Sequence, residues 1–297
     1  MIKNALTLLL SFVGITLFGQ GTEYVIPFVL TDHNNLSVQA VLNGHDTVRL
    51  MFHTAEYGVD LTAASIKKLS DLHFERTDTI KSWGGGDNTS RVSLHDSLTI
   101  GELKWPDIDV FEDVNSGQGT DGKFGPNLFA GKAIEIDYDA KVIVIRDSLP
   151  DKVRKYDKLK LVYEKHMLYL EAVCKIGGKR YANRFLIHSG YFGAVLLDDA
   201  FVEKTRAGER LKIVGEKELK DSYGHVLKTE KAILPTFVLG GKKLHDVPAG
   251  FFHGAIGRQK MSIIGGDVLK RFNLIIDPRR EYIYLKPNHL VDTAYMS

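Results

Sequence analysis

The sequence contains one cysteine and eight prolines, and no long apolar run follows its first residues. A lone Cys174 excludes an intramolecular disulfide. It lies in the apolar stretch 170–174, which favours a buried, inert thiol. Because no later segment reaches about 18 apolar residues, a transmembrane anchor is not predicted.

Charge of either sign is not in excess. Thirty-nine Lys and Arg balance 37 Asp and Glu, and no basic block occurs, so a nucleic-acid partner is not predicted. The sequence has no HExxH, CxxC, GxSxG or P-loop motif. Its 28 glycines indicate many tight turns, which usually accompany short strands.

The N-terminus has the pattern of a secretory signal. Met1–Asn4 is short and basic, residues 5–18 are apolar, and small residues follow at 19–21. No cysteine stands near this point to carry a lipid anchor. We therefore predict a signal peptide at 1–20 and an exported, soluble, monomeric protein in the periplasm or outside the cell.

The rest of the chain repeats itself. Residues 36–62 and 168–197 each read as a strand, a Gly-centred turn and a second strand that ends in His-Thr-Ala or His-Ser-Gly. Further landmarks match in order at offsets of 135 to 140 residues: 98–101 with 237–240, 124–129 with 264–269, and 134–145 with 274–285.

This duplication predicts an all-β protein of two homologous lobes with a cleft between them. We predict lobes at 21–150 and 151–291, a tail at 292–297, and a linker over 146–160. Short helices are predicted at 63–72, 127–130, 199–204 and 268–272, and Thr62 and Asp198 are the expected N-caps of the first and third.

The paired His turns, the later Phe124-Gly125 and Ile264-Gly265 steps and the Asp-containing hairpins resemble those of bilobal aspartic peptidases. The nearest resemblance is to the exported, retropepsin-like aspartyl proteases of Bacteroidetes-type bacteria, over about residues 24–288. This resemblance implies acid-protease-like lobes, each of which contributes one residue to a shared dyad. In that family, the dyad consists of two Asp residues that activate a water for attack on a peptide carbonyl.

The sequence departs from that pattern at the dyad itself. His53 and His188 stand at the two Asp positions. Thr54 and Ser189 match the family residues that bond across the dyad, and Gly190 matches the turn glycine, whereas Ala55 replaces its partner. Two carboxylates share a proton because like charges at short range cannot both ionise. Two imidazoles could share one too, with a transition expected near pH 6–7.

Two functions follow from this departure. The first is a binding protein that holds an extended peptide or glycan in the cleft and lacks aspartyl hydrolysis. The alternative is a hydrolase or lyase that uses the His53/His188 dyad, favoured by the same replacement in both halves. Glu56 and Tyr191, three residues after each histidine, are candidate acid or orienting groups. The competing interpretation places Glu56 in solvent at the cleft rim and packs Tyr191 on its turn.

Trp83, Gly84 and Gly85 stand where the family has its first-lobe flap, so they are candidate ligand contacts. No cofactor and no metal site are predicted. Zinc held by the two imidazoles, with Glu56 and a water, is the weaker alternative because no clear third protein ligand follows from the sequence.

Overall fold

The computed structural model describes residues 22–81, 87–221, 224–252 and 259–296. The first half of the chain forms eleven strands within these ranges. They are β1 (Glu23–Pro27), β2 (Val29–Leu30), β3 (Leu36–Leu42), β4 (Asp46–Phe52), β5 (Val59–Thr62), β6 (Phe74–Lys81), β7 (Asp87–Ile100), β8 (Leu103–Asp113), β9 (Gly122–Phe124), β10 (Ala133–Asp137) and β11 (Val142–Arg146).

Ten further strands follow in the second half. They are β12 (Asp157–Glu164), β13 (Met167–Ile176), β14 (Lys179–His188), β15 (Val195–Leu196), β16 (Lys212–Lys220), β17 (Val226–Leu239), β18 (Lys242–Phe251), β19 (Ser262–Gly265), β20 (Phe272–Ile276) and β21 (Tyr282–Pro287). The helices are short: α1 (Ala63–Ile66), α2 (Asp199–Thr205), α3 (Ala207–Arg210) and α4 (Gly266–Leu269), with 3-10 turns at Pro126–Phe129 and Asp151–Lys155. None of these helices is long enough to cross a bilayer.

The strands form two sheets that follow the duplication. The first, of eight strands, has the order β2-β3-β4-β9-β5-β8-β7-β6. The second, of 13 strands, has the order β1-β11-β10-β20-β21-β12-β13-β14-β19-β15-β18-β17-β16. Its β10 and β20 pair antiparallel, with Ile134 opposite Ile276, so the two halves share one continuous sheet.

Both halves use the same unusual pairing around the His-bearing strands. The parallel pairs are β4 with β9 and β5 with β8 in the first half, and β14 with β19 and β15 with β18 in the second. This matched topology confirms the predicted fold, a mostly β protein of two related lobes with a few short helices.

The predicted turns and caps are confirmed. Gly101 and Gly240 end matched strands with the same φ of 58°, a left-handed conformation that glycine adopts at low cost. Thr62 and Asp198 cap α1 and α2 by accepting the amide hydrogens of Ser65 and Phe201.

Three boundaries predicted from sequence are wrong. The helix predicted over 268–272 lies at Gly266–Leu269, and Phe272 already belongs to β20. The helix predicted over 63–72 ends at Ile66, because the next bonds, from Lys68 to Ser65 and from Leu69 to Ile66, span three residues and close the last turn tightly. The segment 146–160 is not an open linker. Its end belongs to β12, which pairs with β21 through Asp157 and Leu285 and continues into β13.

The predicted tail is packed rather than free along its described part. Buried Arg271 donates hydrogen bonds to the carbonyl oxygens of Thr293 and Ala294, and its guanidinium lies 3.7 Å from the Tyr295 ring centroid. Cys174 is buried as expected, and burial raises the pKa of its thiol to about 12. The signal segment 1–20 and Trp83–Gly85 lie outside the described residues.

Candidate functional site

The two histidine turns meet between the lobes. His53 directly follows β4 and His188 ends β14, so the parallel strand pairs deliver both residues to one place. Their ring centroids are 4.5 Å apart and the ring planes are inclined by 62°. His53 is 9% exposed and His188 is partly exposed. The structure thus brings together the pair predicted from sequence.

Thr54 and Ser189 tie the two turns together reciprocally. The Thr54 amide donates to Ser189 Oγ and the Ser189 amide donates to Thr54 Oγ1, each at 3.0 Å. Each hydroxyl then donates at 2.7 Å to a carbonyl oxygen of the opposite lobe, Thr54 to Ile187 and Ser189 to Phe52. All these groups are buried, so the lobes cannot separate here without leaving polar groups unpaired.

The turn after His188 requires a glycine, whereas the turn after His53 does not. A side-chain carbon on Gly190 would lie 2.3 Å from His53 Nε2, so the His53 ring occupies the space that only glycine leaves. Ala55 stands at the equivalent place in the other turn without a positive φ. Its methyl group packs against the apolar cluster of the second lobe. Ala55 is therefore accommodated without backbone strain.

A second pair of glycines, Gly125 and Gly265, lets the backbone of each histidine turn approach the neighbouring chain closely. A side-chain carbon on Gly125 would lie 1.9 Å from the Glu56 carbonyl oxygen, and one on Gly265 would lie 2.2 Å from that of Gly193. The Gly265 and Gly266 amides donate to the carbonyl oxygens of Ala194 and Tyr191 at 2.8 and 2.6 Å. The backbone therefore braces both histidine turns.

Backbone hydrogen bonds select the tautomer of each neutral imidazole. The Ala55 amide donates to His53 Nδ1 at 3.2 Å, and the Tyr191 amide donates to His188 Nδ1 at 3.0 Å. A nitrogen that accepts a hydrogen bond carries no proton, so each neutral ring carries its hydrogen on Nε2. Within the described residues, neither Nε2 has a hydrogen-bond partner. In this tautomer each ring has one N–H donor, on Nε2, and no free acceptor nitrogen.

Burial keeps both imidazoles neutral. Desolvation, followed by the charges of His188 and Lys123, holds the pKa of His53 well below its ordinary value. Desolvation and Lys123 lower the pKa of His188 to about 4. These lowered pKa values place protonation of the pair below the pH 6–7 expected for solvated rings.

These lowered pKa values predict acid sensitivity. Between pH 6.5 and about 4 the unfolded chain binds a proton at residue 188 that the folded protein does not, so stability present above pH 6.5 is lost as the pH falls. For His188 alone the loss is on the order of 3 kcal/mol. We expect denaturant unfolding of wild type to show a steeper fall over this window than that of His188→Asn.

The two proteins share the other titrating groups, including Asp60, whose raised pKa acts in the opposite direction. The difference between their pH profiles therefore isolates His188. Parallel profiles would contradict a depressed pKa for this ring.

A buried charged cluster lies beside the His pair, and sequence reasoning missed its centre. Lys123 Nζ lies 2.7 Å from Asp113 Oδ2 and 3.1 Å from Glu56 Oε2, and Asp60 faces Lys123 across β5 and β9. The side chains of Lys123 and Asp113 are 7% and 3% exposed, and that of Glu56 is 21% exposed. Burial alone would lower the pKa of Lys123, but the three carboxyl groups raise it above its ordinary value.

A sequence signal for this cluster existed in the repeat. Lys123 precedes Phe124-Gly125, whereas the matching position before Ile264-Gly265 is Ile263. The first lobe thus has a lysine in a short apolar strand where the second lobe has an isoleucine. This difference between the two repeats was the available sign of a buried charge.

Glu56 and Tyr191 occupy different surroundings. Glu56 is bound to Lys123 instead of standing in solvent at the rim. The Tyr191 ring fills the space left by Gly193 and Gly265, and burial raises the pKa of its phenol above the ordinary value. Tyr191 therefore packs on its turn, as the alternative interpretation held. Trp83, Gly84 and Gly85 cannot be placed, since they lie outside the described residues.

No group of three or more His, Cys, Asp or Glu with the arrangement of a metal site occurs in the described part of the chain. The two imidazoles therefore lack a third protein ligand there.

Two β lobes that meet at paired, hydrogen-bonded turns define the bilobal acid-protease-like fold. The chain is similar to the crystal structure of an aspartic proteinase from Irpex lacteus, with a TM-score of 0.60 and 12% sequence identity over 93% of this chain and 100% of that one. At this identity the likeness establishes the fold alone. No protein-family model and no curated protein sequence matches the chain.

Proposed function

We propose that this protein binds an extended peptide or oligosaccharide between its lobes and does not hydrolyse it by an aspartyl mechanism. The observation that carries the proposal is the pair of Nδ1 atoms occupied by the Ala55 and Tyr191 amides. Each ring then keeps an Nε2–H group as its hydrogen-bond donor. Such a pair suits an acceptor oxygen, for example an amide carbonyl.

Activation of a water by this pair is poorly supported. A general base needs an unprotonated nitrogen within reach of the water. In each ring Nδ1 already accepts an amide hydrogen, and Nε2 carries the proton. The lowered pKa values also make both imidazoles weak bases. The His-dyad hydrolase or lyase therefore ranks second.

An extended ligand is favoured by the fold, since the similar Irpex lacteus structure is that of an aspartic proteinase. Export to the periplasm or beyond, and a monomeric state, complete the proposal. Both rest on the N-terminal pattern and composition.

The proposal is tested with two variants that separate the two ring nitrogens. His188→Asn places an amide oxygen near the Nδ1 position and removes the ε donor, whereas His188→Gln places a donor near Nε2. We expect Asn to keep the turn but weaken ligand binding about tenfold, since a hydrogen bond to the ligand is lost. The His188→Gln variant is expected to bind the ligand more tightly than His188→Asn, although its 188 turn is less stable.

The measurement is retention of a peptide library and an oligosaccharide panel on immobilised protein at neutral pH, read by mass spectrometry. Ligands are expected to be recovered intact from wild type. Cleavage products that disappear in the folded His53→Ala/His188→Ala variant would instead establish the hydrolase or lyase.

A further inference from the structure

The charged cluster of Lys123, Glu56, Asp60 and Asp113 is not required by the fold. The register of the strands shows this directly. Asp60 pairs with Lys123 in the first lobe, and the matching pair in the second lobe is Leu196 with Ile263. On β8, Asp60 pairs with Phe111, and Asp113 follows two residues later. In the second lobe, Leu196 pairs with Gly250 of β18, and Phe252 follows two residues later.

The second lobe therefore fills these positions with apolar side chains. Leu196, Phe252 and Ile263 belong to one buried apolar cluster. Buried ion pairs can often be replaced by packed apolar residues without loss of stability. The first lobe thus keeps three charged residues, Lys123, Asp60 and Asp113, where its own duplicate keeps apolar ones, which indicates a role other than folding.

The cluster also lies on the sheet face that carries His53. Side chains alternate along a strand, so Met51 shares a face with His53. Lys123 pairs with Met51, and Asp60 pairs with Lys123, which extends the same face from the His pair toward β5. The charges of Lys123 and Glu56 both act on His188. A ligand on the His pair would lie next to this cluster.

The cluster is short of positive charge. It holds three carboxyl groups and one ammonium group, and Lys123 makes its ion pairs with Glu56 and Asp113. Among the described residues, the buried Asp60 Oδ2 accepts no hydrogen bond. Glu56 lies within hydrogen-bonding reach of Asp60, but two ionised carboxylates cannot bond one another.

We propose that Glu56 and Asp60 form a subsite for a primary ammonium group, namely a lysine side chain of a peptide bound on the His pair. This inference rests on the proposed cleft binding and specifies its ligand as a lysine-containing peptide. Glu56, the most exposed member, is the entry to the subsite. The incoming ammonium supplies the second positive charge and the donor that Asp60 Oδ2 lacks.

Without a ligand, Asp60 holds a proton in place of that cation. Burial is the main cause that raises its pKa well above the ordinary value, with Glu56 and Asp113 raising it further against the opposing charge of Lys123. The ammonium group should therefore displace about one proton on binding, and affinity should rise with pH.

The test uses two probes, Nα-acetyl-lysine amide and Nα-acetyl-norleucine amide, which differ only by the ammonium group. Binding to the whole protein is followed by NMR titration at pH 7. Calorimetry in two buffers of different ionisation enthalpy then measures proton release. We expect the lysine probe to bind at least about tenfold more tightly than the norleucine probe.

Asp60→Asn should abolish this preference and the proton release. Asp96→Asn is the matched control. Asp96 is also buried in the first lobe, and its Oδ2 has no hydrogen-bond partner among the described residues, but its Oδ1 accepts a bond from Asn43 at the β3–β4 turn. Glu56→Gln, at a partly exposed position, gives the same test if Asp60→Asn does not fold. Equal affinity for the two probes, or a preference that survives Asp60→Asn and Glu56→Gln, would overturn the subsite.

The two proposals can fail separately. Peptides that bind through the His pair with no preference for lysine would remove the subsite and leave the proposed function. A lysine preference abolished by Asp60→Asn, with no peptide or oligosaccharide retained by wild type, would support an ammonium site at Glu56 and Asp60 but remove the proposed function and the peptide as its ligand.

Discussion

Replacing Thr54 by Val and Ser189 by Ala together is expected to lower the free energy of unfolding by at least about 4 kcal/mol. The two hydroxyls accept each other's neighbouring amides at 3.0 Å and donate to Ile187 and Phe52 carbonyls at 2.7 Å. Loss of the hydroxyls leaves four buried backbone groups, two amides and two carbonyls, without these hydrogen bonds. Each unpaired group costs about 1–3 kcal/mol. Val and Ala change the side-chain volumes little.

Urea unfolding of the two single variants and the double variant measures this energy. Because the bonds are reciprocal, we expect the two single losses not to add. Thr205→Val is the control, since Thr205 is fully buried but its hydroxyl donates to carbonyl oxygens of its own helix, and its loss should cost about 1 kcal/mol. A double variant no less stable than this control would contradict the role of the reciprocal bonds.

Replacing Arg271 by Met is the second change with a large expected effect, a loss of about 3–5 kcal/mol. Arg271 is 1% exposed, and its Nη2 lies 3.4 Å from Asp267 Oδ1. Its guanidinium also bonds carbonyl oxygens of the C-terminal segment between Leu290 and Ala294. The substitution leaves Asp267 with Lys270 as its remaining ion-pair partner and frees the segment.

Loss of the Arg271 contacts should also destabilise the turn that follows His188. The Asp267 amide donates to the Gly193 carbonyl oxygen at 3.3 Å, and Gly266 donates to that of Tyr191. We therefore expect faster hydrogen exchange at the Gly266 and Asp267 amides, which donate to this turn, in Arg271→Met than in wild type. Arg91→Met removes an exposed pair with Glu112 and should cost less than about 1 kcal/mol. Equal losses for the two variants, with unchanged exchange at the turn, would show that Arg271 does not support the site.

Much of the fold could be predicted because its signals are local. The matched Gly101 and Gly240 turns, the Thr62 and Asp198 caps and the alternating strands depend on neighbouring residues. Helix length was less predictable. The pattern over 63–72 continues past Ile66, but bonds that span three residues end the helix there. The tail beyond 291 reads as a polar end, and only its distant partner Arg271 holds it in place.

The sequence by itself determined the duplicated β architecture and the meeting of His53 and His188, because a repeat aligns its own equivalent positions. The tertiary structure decided their chemistry. Which ring nitrogen carries the proton depends on the Ala55 and Tyr191 amides, and the depressed pKa values depend on burial and on Lys123, about 70 residues from His53 in the chain. Desolvation and charge act through space, so sequence distance does not reveal them.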